Sequence, residues 1–287
     1  MDSKETALEA TPPDTITAKP PKRKKNKPTY LNAIQGRELY NYMGNRVIES
    51  RTTFGNLVAV KHKPAGSYVR SEAEMMHFAS QQGILAPRVL GCYDVEPEVI
   101  ATVTDVVPGQ SLDKVWHSLS REEKRGIKIQ LKEQVRLFRT ITQPYIGRIN
   151  EQETFNFFDR LHFHFMGPFR SEEEFDEFCL ARVKSPTERS LWRRLLPGMR
   201  AKSNPGGKFV LTHGDLAARN IMVHEGKLSG IVDWEYSGFY PEYMEYALAT
   251  VIHDQHEDWW VPVLKEILEP CGFKRARFVA AAKDRGW

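Results

Sequence analysis

The sequence contains no uncharged apolar run of the roughly eighteen residues that a membrane-spanning helix requires, so no segment reads as a bilayer span. It also lacks the charged-then-apolar opening of a secretory signal, and the expectation is a soluble, cytoplasmic protein. Cysteine is scarce. Cys92, Cys179 and Cys271 are odd in number, far apart and without a C-x-x-C pair, which argues against a disulfide framework and a structural zinc site. No G-x-S-x-G, H-E-x-x-H or dinucleotide fingerprint is present, so nothing points to a hydrolase or an oxidoreductase. Gly206, Gly207 and Lys208 do not make a P-loop, because Phe209 follows the lysine where Ser or Thr is needed. There is no internal repeat.

What is present is an ordinary globular composition: 287 residues, 41% hydrophobic and 27% charged, enough for one large or two modest units with a real core. The formal charge of +4 is unevenly placed, since residues 1–30 hold seven Lys/Arg against four Asp/Glu. The body is therefore nearly neutral, which argues against a nucleic-acid partner. Residues 1–30, rich in Pro and Thr, carry too few large apolar groups to offset the entropy of ordering them and read as a disordered basic tail. Within it "KPPKRKKNK" is compatible with a nuclear address or a weak anion-binding segment, although such runs are more often merely solvated.

From Arg46, "RVIES", the turn "RTTFGN" and "LVAVKHKP" predict a hairpin whose second strand alternates as far as Lys61, which ends it. Ser71 with Glu74 has the form of a capping box opening a helix that Gly83 closes. "APRVLGCYD" and "VIATVTDVVPGQ" add two strands, completing a small sheet with one helix. Ser120 with Glu123 predicts a second capping box, and Ile127, Leu131, Val135 and Phe138 make the apolar stripe of a helix reaching about Thr142. Residues 150–207 read as helices and irregular segments. "NIMV" and "LSGIVDW" around "HEGK" predict another hairpin, and helix returns from Tyr243.

The stretch from Leu211 to Glu235 sets Asp215, Asn220 and Asp233 among short apolar runs. Unpartnered buried carboxylates cost several kcal/mol, so these groups need cations, donors or water. Mg²⁺ suits them: it takes oxygen ligands, commonly one or two carboxylates plus substrate phosphates, and offsets the repulsion between them. The predicted hairpin returns Asp233 beside Asn220 and leaves Asp215 in the loop, where it can face a substrate hydroxyl.

"HGDLAARN", His213 to Asn220, has the form H-x-D-x-x-x-x-N, and with "IVDWE" it resembles the catalytic segment of the aminoglycoside phosphotransferase family in the protein-kinase-like fold. "VAVKHK", "SEAEMMHFA", "APRVLG", "TDVVPGQSLDKVW", "GPF" and "DWEYSGFYPEYMEYALA" follow the motif order of the small-molecule kinase branch common in fungi, over roughly residues 40–255. The resemblance implies an α+β, two-lobed fold. An N-terminal lobe at 31–106, a small antiparallel sheet with one helix, would bind the nucleotide, and a larger, mainly helical lobe at 107–287 would hold catalytic and substrate-binding groups. It implies ATP and Mg²⁺ as cofactors and a small-molecule hydroxyl acceptor, with a monomeric state expected. Asp215 then corresponds to the catalytic base, Asn220 and Asp233 to Mg²⁺ ligands, and His213 to an organiser of the loop. Lys61 corresponds to the lysine on the α and β phosphates, and Glu72 to its ion-pair partner, with Glu74 as the alternative. Thr104, Asp105, Val106 and Val107 match the hinge, where backbone groups of Asp105 to Val107 would bind adenine.

Three features depart from protein kinases. No G-x-G-x-x-G precedes Lys61, leaving Gly44 or Gly55 to serve a reduced phosphate-covering loop; the metal triplet reads Asp233, Trp234, Glu235; and Ala217 replaces the usual lysine. The last two favour small molecules over polypeptide acceptors. Glu242, Glu245, Asp254, Glu257 and Asp258, set among aromatics, suit either a cationic acceptor or plain surface charge. Arg219 suits either phosphate or a structural ion pair. His162 and His164 lack a third ligand for a metal, and Trp259 and Trp260 read as packing residues. Singly, Asp215, Asn220 and Asp233 also suit turns, caps and strand ends, and Lys61 and Glu72 suit solvated positions. The rival to catalysis is a kinase-like scaffold with weak or no activity, its basic tail docking an acidic partner.

Overall fold

The computed structural model describes residues 36–42, 45–64, 70–96, 99–158, 164–203, 207–253 and 255–283. The basic tail, Gly44, His162 and Asp254 lie outside the described residues. Five strands, β1 (Arg37–Tyr42), β2 (Asn45–Arg51), β3 (Leu57–Pro64), β4 (Val89–Glu96) and β5 (Val99–Asp105), form an antiparallel sheet in the order β1-β2-β3-β5-β4. Strand β1 is the element of this sheet that sequence patterning misses. It is an exposed edge with a register shift between Glu38 and Tyr40, so it shows no buried alternation to detect.

The alternation in β3 does set two faces. Val58, Val60 and His62 are buried on one, and Ala59, Lys61 and Lys63 share the other. Lys61 does not end the strand. Pairing with β5 continues from Lys61 opposite Thr102 to Pro64 opposite Val99, so the lysine is fixed in mid-ladder.

Helix α1 (Ser71–Gln81) packs against this sheet through Ala73 and Ile100, and Gly83 follows it with φ +81°. The expected capping box is absent. Arg70 is the N-cap residue without a side-chain cap bond; the Ser71 hydroxyl accepts from Arg148 Nη1 at 2.7 Å, and Glu74 Oε2 accepts from Gln152 Nε2 at 2.7 Å. Tertiary donors have taken both groups from the local motif.

The remainder is mainly helical. After β6 (Gln110–Ser111) come a single helical turn, α2 (Leu112–Val115), and then α3 (Arg121–Thr140). Here the capping box is complete: Glu123 N–H donates to Ser120 Oγ at 3.1 Å, and Ser120 N–H to Glu123 Oε2 at 2.7 Å. Ile127, Leu131, Val135 and Phe138 are buried, as their spacing predicts. Strands β7 (Thr142–Gln143), β8 (Thr154–Phe155) and β9 (Phe165–Met166) precede α4 (Glu172–Arg182) and α5 (Pro186–Ser203). Then β10 (Phe209–Thr212), the hairpin β11 (Ile221–His224) and β12 (Lys227–Ile231), and β13 (Gly238–Tyr240) surround the candidate site. Helices α6 (Met244–Ala247), α7 (Trp260–Ile267) and α8 (Phe273–Ala282) close the chain. The main core joins α3, β10 to β13 and the C-terminal helices, and it includes Met75, Met76 and Ala79 of α1. Among the described residues no helix is long and apolar enough to cross a membrane.

Candidate active site

The loop between β10 and β11 is held from several sides. Gly214 has φ +88°, and a Cβ there would stand 2.6 Å from the carbonyl oxygen of Tyr236, so only glycine fits. The buried Glu245 carboxylate accepts the His213 N–H at 2.7 Å and the Gly214 N–H at 3.1 Å. His213 Nδ1 accepts the Asp215 N–H at 3.2 Å, which leaves Nε2 as the donor to the Val232 carbonyl at 3.0 Å. The Trp260 indole donates to the Leu216 carbonyl at 2.8 Å.

These contacts fix Asp215, whose side chain is 4% exposed. Its Oδ2 accepts from Asn220 Nδ2 at 3.0 Å and from Arg219 Nη2. Its Oδ1 is buried with no hydrogen-bond partner among the described residues. Such an atom is costly unless something is supplied to it. Asn220 also donates to the Asp215 carbonyl at 2.9 Å, and its own carbonyl accepts the Val232 N–H at 2.9 Å. The β11–β12 pairing, Ile221 opposite Ile231, thereby sets Asp233 next to this loop, with Asp233 in the left-handed region at φ +65°.

Above the loop lies a five-membered charge cluster. Lys61 Nζ contacts Glu72 Oε1 at 2.9 Å and Asp233 Oδ1 at 2.8 Å; Lys63 Nζ contacts Glu72 Oε2 at 3.1 Å and Glu235 Oε2 at 2.5 Å. Burial alone would raise the Asp233 carboxyl, yet the Lys61 and Lys63 ammoniums hold it well below the usual carboxylate range. Burial likewise opposes ionisation of Glu72, and Lys61 and Lys63 overcome it, so its pKa is lowered. For Lys61 burial works against the charged form, and Asp233, Glu72 and Glu235 drive the pKa well above that of a free lysine. Glu235 is the member left raised, by burial and by the neighbouring Asp233 charge. Tyr40 on β1 senses the same cluster: burial and Asp233 raise its phenol.

Oxygen atoms of Glu72, Asp233 and Glu235 all lie within 4.8 Å of one another. This all-oxygen donor set fits a hard cation such as Mg²⁺.

Thr104 and Asp105 end β5, and Val106 and Val107 follow it toward β6. Thr104 is buried and its hydroxyl donates to the Asp105 carbonyl at 3.0 Å. Asp105 is tied to Arg88 by its carboxylate at 2.9 Å and by its N–H, which donates to the Arg88 carbonyl at 3.0 Å. That N–H is therefore committed. Gly109, at φ +98°, then lets the chain cross β11, where a Cβ would stand 2.0 Å from the Val223 carbonyl oxygen.

Some sequence candidates lie elsewhere. Glu74 turns toward Gln152 and away from Lys61. Of the acids assigned to a cationic acceptor, Glu245 is buried under the loop backbone and Glu242 faces Arg139 at 3.6 Å. Both are already engaged. Glu257 and Asp258 are exposed, Trp260 is fully buried, and Trp259 stacks on Trp116 with centroids 4.5 Å apart. Sequence reading passed over Lys63, although the strand period of two places it on the face of Lys61. Glu245 and Arg148 carried no local signal, because their partners are distant in sequence.

Sheet lobe, helical lobe and the charge cluster define a kinase-like phosphotransferase architecture. The chain belongs to the phosphotransferase enzyme family, whose model matches residues 44–269. Solved aminoglycoside phosphotransferases share the fold. A thermostable mutant of APH(4)-Ia is 13% identical, with a TM-score of 0.54 over 86% of this chain and 83% of that one. APH(3'')-Id from Streptomyces rimosus is 21% identical, with a TM-score of 0.51 over 88% and 95%, and is also known in complex with ADP and streptomycin. No curated protein is matched by the sequence.

Proposed function

We propose that this protein transfers the γ-phosphate of ATP to a hydroxyl group of a small molecule, with Mg²⁺ as cofactor. The observation that carries the reading is the vacant buried oxygen, Asp215 Oδ1, beside Asn220 and below the Lys61, Glu72 and Asp233 cluster. In the proposed reaction Asp215 Oδ1 accepts the proton of the acceptor hydroxyl. The acceptor oxygen forms the new bond to the γ-phosphorus, the bond to the β,γ-bridging oxygen breaks, and ADP leaves. Asn220 keeps Oδ2 occupied, so that Oδ1 is the atom aimed at the acceptor. Lys61, set by Glu72, gives up its contact with Asp233 to hold the phosphates. Asn220 and Asp233 would hold Mg²⁺, which when bound offsets the phosphate charge. Backbone groups of Val106 and Val107 are the edge offered to adenine. Residues 31–106 are assigned to nucleotide binding and 107–287 to catalysis and the acceptor.

ADP, AMP-PNP, hygromycin B and streptomycin in complexes of the structural neighbours support a nucleotide and a small-molecule acceptor here. We read the ordered motifs as favouring the fungal-type branch of small-molecule kinases and propose a cytoplasmic monomer. Purified protein should gain about 2.7 kcal/mol of stability at an ATP·Mg²⁺ concentration a hundred times its dissociation constant. Asp215→Asn should keep that gain and lose turnover by at least about 10²-fold, the scale of general-base catalysis. Labelled ATP with a cell extract, followed by mass spectrometry, would identify the acceptor. A wild-type protein whose thermal midpoint ignores ATP and Mg²⁺ would overturn the reading.

A further inference from the structure

Arg148 lies in the strap between β7 and β8, and its side chain is fully buried. Its guanidinium reaches in two directions. Nη1 donates to the Ser71 hydroxyl at 2.7 Å, at the first residue of α1; Nη2 donates to the Glu235 carbonyl and Nε to the Ser237 carbonyl at 3.3 Å. Phe155 lies against it, its ring centroid 5.5 Å from the guanidinium carbon. Ser71 immediately precedes Glu72, and Glu235 stands two residues after Asp233.

We infer that Arg148 is a positioning residue that holds Glu72 and Asp233 at a fixed separation, so that Lys61 and the metal-binding oxygens are assembled before any nucleotide arrives. The inference rests on the phosphotransferase reading above and deepens it. Burying a guanidinium is costly unless its N–H groups find well-placed acceptors, so releasing Ser71 or the 235–237 carbonyls would leave a buried charge under-compensated. The planar fork also fixes the directions of its bonds, which a lysine would not do. The neighbouring strap residues act in the same sense. Ile149 N–H lies 3.3 Å from Met75 Sδ, and Gln152 binds Glu74. Met75, Met76 and Ala79 of α1 already belong to the core of the helical part. The diverted capping box is the sequence-level mark of this arrangement: the Ser71 oxygen that local rules give to the Glu74 N–H is taken by Arg148.

The test compares wild type, Arg148→Met, Arg148→Lys and Ser71→Ala by thermal midpoint with and without ATP and Mg²⁺, and by the Mg²⁺ concentration giving half-maximal turnover. A merely structural role lowers the ligand-free midpoint and leaves the ligand-induced shift and the Mg²⁺ requirement as they were. A positioning role shrinks the shift and raises the Mg²⁺ requirement. The expected loss of nucleotide affinity is about tenfold in Arg148→Met and about threefold in Ser71→Ala, with Arg148→Lys between them, on the scale of one hydrogen bond to a charged group. Should Arg148→Met fail to fold, Ser71→Ala decides, because it removes one hydroxyl and keeps the arginine. A wild-type shift retained in full by Ser71→Ala and Arg148→Lys, with an unchanged Mg²⁺ requirement, overturns the positioning role alone. No shift in the wild type overturns the phosphotransferase reading together with it.

Discussion

Glu245 accepts the backbone N–H of His213 at 2.7 Å across 32 residues of sequence, and its other oxygen takes the Gly214 N–H at 3.1 Å. One buried carboxylate thus sets the entry of the loop that carries Asp215. In Glu245→Gln the amide keeps one acceptor oxygen and turns an NH₂ toward the other N–H. The expected cost is about 1.5–3 kcal/mol, the value of a hydrogen bond to a charged group. Chemical denaturation would measure it, and turnover should fall more than nucleotide affinity, because the loop carries the proposed base, Asp215, and Lys61 is untouched. A full-activity Glu245→Gln protein would show that the loop holds its shape without the charge.

The Lys61 and Lys63 cluster predicts how acid unfolds the protein. Glu72 and Asp233 have lowered pKa values in the folded state, so their contribution is present above the unfolded carboxylate value, about 4, and is lost as pH falls through the lowered folded values. Lys63→Met removes part of the field that holds both down. Its acid-unfolding midpoint, followed by circular dichroism, should move to higher pH than that of wild type. An unmoved midpoint would mean that other carboxylates control the acid limb.

A second buried network ties the C-terminal helix to α4. Arg275, 4% exposed, contacts Glu172 Oε1 and Asp176 Oδ1, each at 2.7 Å, and stacks over Tyr243 with its guanidinium carbon 4.4 Å from the ring centroid. Arg275 is thus the cation shared by the two carboxylates, and Arg200 Nε also reaches Asp176, at 2.7 Å. Arg275→Met should therefore cost about 3–5 kcal/mol, as expected when one partner of a buried ion pair is removed. A urea titration checks this, and a loss below 1 kcal/mol would mean that water reaches the freed acids.

Much of this architecture is legible along the chain, and where it is not the cause is physical. The hairpins at β2–β3 and β11–β12, the α3 stripe and the Ser120 box are encoded by neighbours, so short-range rules find them. Strand β1 escapes because an edge strand need not bury alternate residues. Pro197 inside α5 would argue for a break, yet the helix runs through it. The Ser71 box fails because a buried arginine competes for the same oxygen. The predicted hairpin brought Asp215, Asn220 and Asp233 to one region and the family resemblance added Lys61 and Glu72, whereas Arg148 and Glu245 join them only through folding.

Trp234 has one further effect. The indole between the two acids is wholly buried, edge-on to Phe138 and His213, with its N–H on the Ile231 carbonyl at 2.8 Å. Rotating this segment away from the nucleotide would wet that ring at roughly 3 kcal/mol for the apolar surface alone and strand its N–H. The buried indole therefore opposes any swing of the segment that carries Asp233 and Glu235 away from the two lysines.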